Sequence, residues 1–241
     1  MSPGKHSRTV AAIIAATVLT VGGLTTSLVL TRIDHHSFVS QVLGAAVIAA
    51  FVVAGAVVAA ARPTNPVGWL MLVGAALSAL GGAGADLAHH GIVDHPGSVA
   101  GVAAFAVAGS AARSVGWYVL SLGVPLVFPD GRLVPSRRNW LPKAMVVIVI
   151  GAVVDPLTDR QADLTNLGHW QNPAALHPPW DIVSGLALLA HFPLAIVATV
   201  AIIRQLVGRY RQGSALTRQQ LRLFVVAALV PVVAAPLVFS I

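Results

Sequence analysis

Seven apolar runs divide this sequence, and their length constrains the fold more than any other feature. They cover Thr9–Leu30, Phe38–Ala61, Val67–Ala85, Ala108–Phe128, Lys143–Leu157, Ile182–Ile203 and Leu223–Ile241. At a rise of ~1.5 Å per residue, a helix of about 20 residues crosses the ~30 Å hydrocarbon core of a bilayer. Lipid offers no partner to backbone N–H and C=O groups, so runs of this kind must satisfy them internally, as helices. A soluble protein built from buried helices would need a charged coat of about a quarter of its residues. Only 10% of these 241 residues are charged and 56% are apolar, with a mean hydropathy of +0.82. The expected fold is all-α: a polytopic transmembrane helical bundle of about seven spans, forming a single integral membrane domain over residues 1–241.

The first run, at 22 residues, exceeds the ~7–15 of a signal-peptide core. No A-x-A cleavage pattern follows it, so it is read as a span that stays. The fourth region is ambiguous, because Ser98–Phe128 is 31 residues long with Arg113 in its middle. It makes either one crossing with a lead-in or two crossings, and charge decides between them. With one crossing and the N-terminus inside, twelve of the fifteen Lys and Arg residues are cytoplasmic, and seven of the eight Asp residues are outside. Two crossings would export "GRLVPSRRNWLPK" and "RQLVGRYRQGSALTRQQLR", against the positive-inside rule. The expectation is a multi-pass protein of the bacterial plasma membrane with a cytoplasmic N-terminus. "FPDGR" is then the turn at the inner end of span four, its Pro and Gly supplying the turn geometry. The fifth run is short and places Asp155 near the outer interface. The long loop after it carries Trp170 and Trp180, rings that suit headgroup depth.

Several function classes are excluded by residues the chain lacks. It has no Cys, so disulfides, thiolate metal sites and cysteine nucleophiles are ruled out. It has no Glu, and neither a G-x-x-x-x-G-K-[ST] loop nor a D-x-G-x-G box. No catalytic residue, no cofactor and no enzyme activity are expected of the chain as it stands. The net charge of +7 is spread over several inner loops, where it anchors topology and meets anionic headgroups; no nucleic acid is expected as a partner.

Three inner segments, "ARPTNPVGWLMLVGA" (61–75), "LVFPDGRLVPSRRNWL" (126–141) and "RYRQGSALTRQQLRLF" (209–224), occur in this order. Together they resemble the N-terminal multi-span membrane sensory region of actinobacterial two-component sensor histidine kinases. The resemblance implies a signal-input domain that works by helix displacement. The expected partners are the lipid bilayer, a second copy of the chain, or a separate signalling or membrane protein. The family's phosphoacceptor His and ATP-binding boxes have no counterpart here. Seven crossings put Ile241 outside, so an eighth would have to precede a cytoplasmic kinase. The chain is accordingly expected to be a truncated or split sensor. A small transporter or ion pathway and a membrane scaffold subunit remain as alternatives.

The candidate site residues fall into two sets. On the outer side, His35, His36, His89, His90 and His95, with Asp34, Asp86 and Asp94 and the more distant His169 and His177, offer imidazoles and carboxylates for a divalent ion or a proton switch. No H-x-x-x-H pair is present and loops need not converge, so they are expected to be solvated and to hold no stoichiometric metal. Within the membrane, the polar candidates are His191, Arg113, Asp86 and Asp155. For His191 a structural hydrogen-bonding role is expected, since a charge at that depth costs at least ~2.5 kcal/mol. Arg113 either pairs with Asp86 or extends outward to the interface. Gly74, Ser78 and Gly82 form a small-residue stripe that allows close helix approach, within the bundle or between protomers.

Overall fold

The computed structural model describes residues 3–34, 38–133, 140–158, 167, 170–173, 175, 181–222 and 224–225. The described residues are predominantly helical, with no strand among them. Helix α1 is Pro3–Ile33, α2 Phe38–Ala61 and α3 Pro66–His89, the last continuing as a π-helical turn over His90–Asp94. Helix α4 is Val102–Tyr118; a second π-helical turn, Val119–Gly123, joins it to α5, Val124–Val127. Helices α6, Leu141–Thr158, and α7, Asp181–Gln212, complete the bundle. Residues 215–222 are also helical.

Five of these segments are long and apolar enough to cross a membrane: His6–Ile33, Phe38–Ala61, Pro66–Asp94, Leu141–Thr158 and Leu189–Gln212. The fourth region forms one continuous helical rod from Val102 to Val127, rather than two rods with a turn between them. Arg113, Trp117, Tyr118 and its glycines make it the least apolar of the rods. The run expected over Leu223–Ile241 lies outside the described residues except at 224–225.

Successive rods run in opposite directions, and α3 is the most buried of the five apolar segments. Its start and end are tied to different neighbours. A Cβ on Gly68 would stand 2.6 Å from the Ala59 nitrogen at the end of α2, and one on Gly23 of α1 2.6 Å from the Ala79 carbonyl carbon. Along the other side of α3, small residues let α4 lie against its backbone. A Cβ on Gly116 would meet the Ser78 hydroxyl at 2.5 Å, and one on Gly109 the Ala85 nitrogen at 2.7 Å. The expected stripe therefore works inside the bundle, with a shift in its membership. Gly74 and Ser78 face α4, Gly82 instead faces Ser27 of α1 at 3.7 Å, and Gly81 takes its place on the seam.

Two groups of three helices share that seam. Val52, Ala59, Leu72 and Ala75, with Ile13 and Phe51, form the core of α1, α2 and α3. Leu122, Leu126, Leu141, Ile148, Ala198 and Ile202 form the core between the α4–α5 rod, α6 and α7. The outward faces stay apolar: Val18, Val53, Val57, Ile150 and Leu189 are all more than half exposed. Apolar side chains exposed along the full length of several helices are matched by a lipid solvent rather than by water.

Charge is segregated to the two ends of the bundle. Arg8, Arg62, Arg132, Lys143, Arg204, Arg209 and Arg211 belong to the end formed by the start of α1, the α2–α3 connection, the α5–α6 connection and the finish of α7. Asp34, Asp86, Asp94 and Asp155 belong to the opposite half.

Candidate functional site

The acidic end carries the outer histidines. Helix α3 does not stop at Ala85, as its apolar run does, but continues through Asp86, His89 and His90. The turn that follows is π-helical, closed by the His95 N–H donating to the His90 carbonyl at 2.7 Å. Residues five apart lie about 140° apart around an α-helix, but the i→i+5 geometry of a π-turn brings them together. Two such pairs result. His89 Nδ1 is 2.8 Å from the Asp94 carboxylate, and the His90 and His95 rings have centroids 4.6 Å apart.

The second pair is completed from another helix. Asp34, at the end of α1, places Oδ1 2.8 Å from His90 Nδ1 and 3.7 Å from His95 Nε2. The Asp34 side chain is only 3% exposed, whereas that of His95 is 55% exposed. One ligand-capable atom from each of Asp34, His90 and His95 lies within 4.8 Å of the others. His89 and His90 are thus partly buried helix-end residues rather than solvated loop residues. The expected candidates His35 and His36 lie outside the described residues, as do His169 and His177.

One turn before this group, Asp86 belongs to a separate polar cluster. Its Oδ2 accepts from the Ser27 hydroxyl of α1 and, at 3.0 Å, from Gln41 Nε2 of α2. Arg113 of α4 and His89 are within Coulombic reach of the same carboxylate, so three helices direct polar groups at one acid. The acidic end is in this way closed by side chains from α1, α2, α3 and α4.

His191 lies elsewhere. It is 5% exposed in the interior of α7, its Cβ at 2.5 Å from where a Cβ on Gly151 would stand. The ring meets Tyr118 edge-on, with centroids 6.3 Å apart. Asp155, one turn from the end of α6, acts electrostatically on Tyr118. Of the four intramembrane candidates, Asp86 is met by Ser27, Gln41 and Arg113, His191 packs on Gly151 and Tyr118, and Asp155 acts on Tyr118.

At the basic end the three quoted segments meet. In the first, Asn65 caps α3, its Oδ1 accepting from the Val67 N–H at 3.0 Å, with Pro66 as first helical residue. Both choices suit a helix start. Trp69 Nε1 donates to the Pro63 carbonyl at 2.9 Å and fixes the approach. The Asn65 Nδ2 reaches the Pro129 carbonyl at 3.5 Å, inside the second segment. There the chain turns over Phe128–Gly131, with the Gly131 N–H bonded to the Val127 carbonyl at 2.9 Å. Gly131 has φ +71°, and a Cβ on it would collide with Asn65 and Pro66. Only glycine fits both conditions.

The third segment closes the junction. Helix α5 ends with carbonyls that have no intrahelical partner. Gln205 Nε2 donates to the Leu126 carbonyl at 3.1 Å. Arg209 donates to the carbonyls of Phe128 and Leu126 and to that of Arg132 at 2.8 Å. A guanidinium is well matched to this task, since its planar fork serves several acceptors and its charge complements the helix C-terminus. Beyond α7, Ser214 accepts from the Thr217 N–H to start the next helical stretch, and Phe224 stacks on Phe128 with centroids 4.5 Å apart. Sequence reading marked these arginines as topology anchors; that Arg209 also caps α5 is visible only once α7 lies beside α5.

No protein-family model, curated protein or solved structure matches the chain.

Proposed function

We propose that the chain is a membrane signal-input domain, similar to the sensory region of a two-component histidine kinase, whose output passes to a partner carrying the kinase core. The observation that carries this reading is the junction at the basic end. Segments 61–75, 126–141 and 209–224 are far apart in sequence, yet Asn65, Arg209 and Phe224 all touch the Phe128–Arg132 turn. In this proposal a displacement of α3 or α4 passes through the junction to the end of α7 and to the helical stretch after it. Interfaces of this kind switch between discrete arrangements rather than deform continuously.

In this proposal the basic end and the N-terminus are cytoplasmic, the acidic end is outside, and the chain crosses the bacterial plasma membrane about seven times. The Val102–Val127 rod is one crossing, and the segment after Leu223 is the last. The proposed partner is a kinase-bearing protein, with the bilayer as solvent. The test is to sequence the DNA flanking the coding region, co-express the chain with the histidine kinase expected there, and measure autophosphorylation in inverted vesicles. The expected result is a several-fold change in rate when the chain is present, altered again by Arg209→Ala. Equal rates with and without the chain, or a permease subunit in the place of the kinase, would refute the reading.

A further inference from the structure

We propose that Asp34, His90 and His95 form a binding site for one divalent transition-metal ion, of which Zn²⁺ is the best-matched probe. The proposal concerns the acidic end of the bundle alone and stands whether or not the chain is a sensor. The expectation of no bound metal rested on loops that need not converge. Here two ligands come from the two ends of a single π-turn, and the third comes from the end of a neighbouring helix.

The dimensions fit. Nitrogen and oxygen ligands lie ~2.0–2.2 Å from Zn²⁺, so two ligands of a tetrahedral site are about 3.3–3.5 Å apart. The His90 Nδ1 to Asp34 Oδ1 distance is 2.8 Å, and the His95 Nε2 to Asp34 Oδ1 distance is 3.7 Å. These values bracket the tetrahedral spacing, and adjustments of roughly half an ångström bring both to it. The first contact is now a hydrogen bond; a metal would take its place at His90 Nδ1, with the proton of the neutral imidazole on Nε2.

The surroundings favour a cation as well. Asp34 is almost fully buried, which is costly for a carboxylate without a positive partner. Asp86 and Asp94 lie on the same end of α3 and its π-turn. Two imidazoles and a carboxylate suit Zn²⁺ and its later first-row neighbours better than Ca²⁺ or Mg²⁺, which take oxygen ligands. His95 is more than half exposed and provides the route of entry. Three protein ligands leave one position for water or an external ligand. A bound ion would tie the end of α1 to the end of α3, across the same helix pair that Ser27 and Asp86 already join.

The test uses the full chain in detergent, purified without a polyhistidine tag, with Zn²⁺ titrated by calorimetry and Co²⁺ by its visible ligand-field absorption. One ion per chain is expected, with a four-coordinate Co²⁺ spectrum. Losing one of three ligands should weaken binding by at least about 100-fold, since even outer-sphere changes cost ~10–100-fold. Asp34→Asn should show that loss, but its burial exposes it to misfolding. His95→Ala, at an exposed position, leaves the fold intact and should show the same loss, and His89→Ala should bind as the parent does. No binding to the parent, or binding undiminished in His95→Ala, would overturn the proposal. So would binding that disappears with His89→Ala and survives His95→Ala.

Discussion

Replacing Gly81 by alanine adds a single methyl group, and the structure predicts that it separates the two halves of the bundle. The added Cβ would collide with the Arg113 nitrogen and would stand 2.7 Å from the Gly109 carbonyl oxygen and 2.8 Å from the Arg113 Cα. All of these are backbone atoms of α4, so no side chain can rotate away. Non-bonded atoms rest about 3.5 Å apart or more, so α3 and α4 would have to part by at least about 0.8 Å. A gap of that size forfeits about a quarter to a half of the dispersion energy of each contact along the seam. Overpacking of this kind costs ~1–3 kcal/mol and more where the backbone is the obstacle. A loss of about 3 kcal/mol corresponds to a fall in Tm of about 6–12 °C for a domain of this size. The control is Gly22→Ala, a helical position with nothing within 4 Å of the added Cβ. There the lower helix propensity of glycine predicts a change of about 0.5–1 kcal/mol in the stabilising direction. Thermal unfolding in detergent, followed by helical circular dichroism, measures both. Equal stability of Gly81→Ala and the parent would refute the close α3–α4 seam.

Arg209→Ala removes the donor to three carbonyls and should destabilise the protein by about 1–2 kcal/mol, below the ~1.5–3 of a buried charged hydrogen bond because the guanidinium is partly exposed. Arg209→Lys should restore only part of this, as an ammonium lacks the planar fork; full restoration in the unfolding midpoint would contradict the capping role. His191→Asn and His191→Gln should fold with losses of about 1 kcal/mol or less, since each amide retains hydrogen-bonding capacity at the site. A large loss in both would count against a structural histidine, and normal folding with abolished signalling or transport would reveal a functional one. Asn65→Ala should cost about 1 kcal/mol through loss of the α3 cap, read as an increased rate of proteolysis at the 62–65 connection; an unchanged rate would show that the cap is dispensable.

Apolar length and charge made the helices legible in sequence, because lipid demands both. Phe38–Ala61 and the short α6 are where the apolar runs place them, give or take two residues. The finish of α3 was not legible. Apolarity ends at Ala85, but the backbone continues helical through Asp86, His89 and His90 because polar side chains at the acidic end of the bundle do not oppose a helix. Arg113 likewise hid the start of α4 at Val102, which lies six residues before the expected Ala108. The stripe Gly74–Ser78–Gly82 was read at a constant spacing of four, which drifts by about 40° per step around a helix. Alternating four and three holds the seam, and Gly74, Ser78 and Gly81 follow it. The histidine pairs escaped notice for a similar reason. A spacing of five brings nothing together on an α-helix, and no local feature of "HHGIVDH" announces a π-turn. The contact of Asp34 with His90 joins positions 56 apart, and no pattern within either segment encodes it.

The central claim is that alternate ends of these helices face opposite sides of a membrane, with the basic junction inside. The chain has no Cys, so single cysteines can be introduced without a background. Ser98→Cys is on the acidic end; Thr64→Cys, Leu133→Cys and Gln212→Cys are on the basic end, and all four positions are exposed. In intact cells treated with a membrane-impermeant maleimide, the account predicts that only Ser98→Cys is labelled, with the other three reacting after permeabilisation. Labelling of Leu133→Cys alongside Ser98→Cys in intact cells would mean that the Val102–Val127 rod does not cross, and labelling of Thr64→Cys in place of Ser98→Cys would invert the orientation; either result contradicts the account.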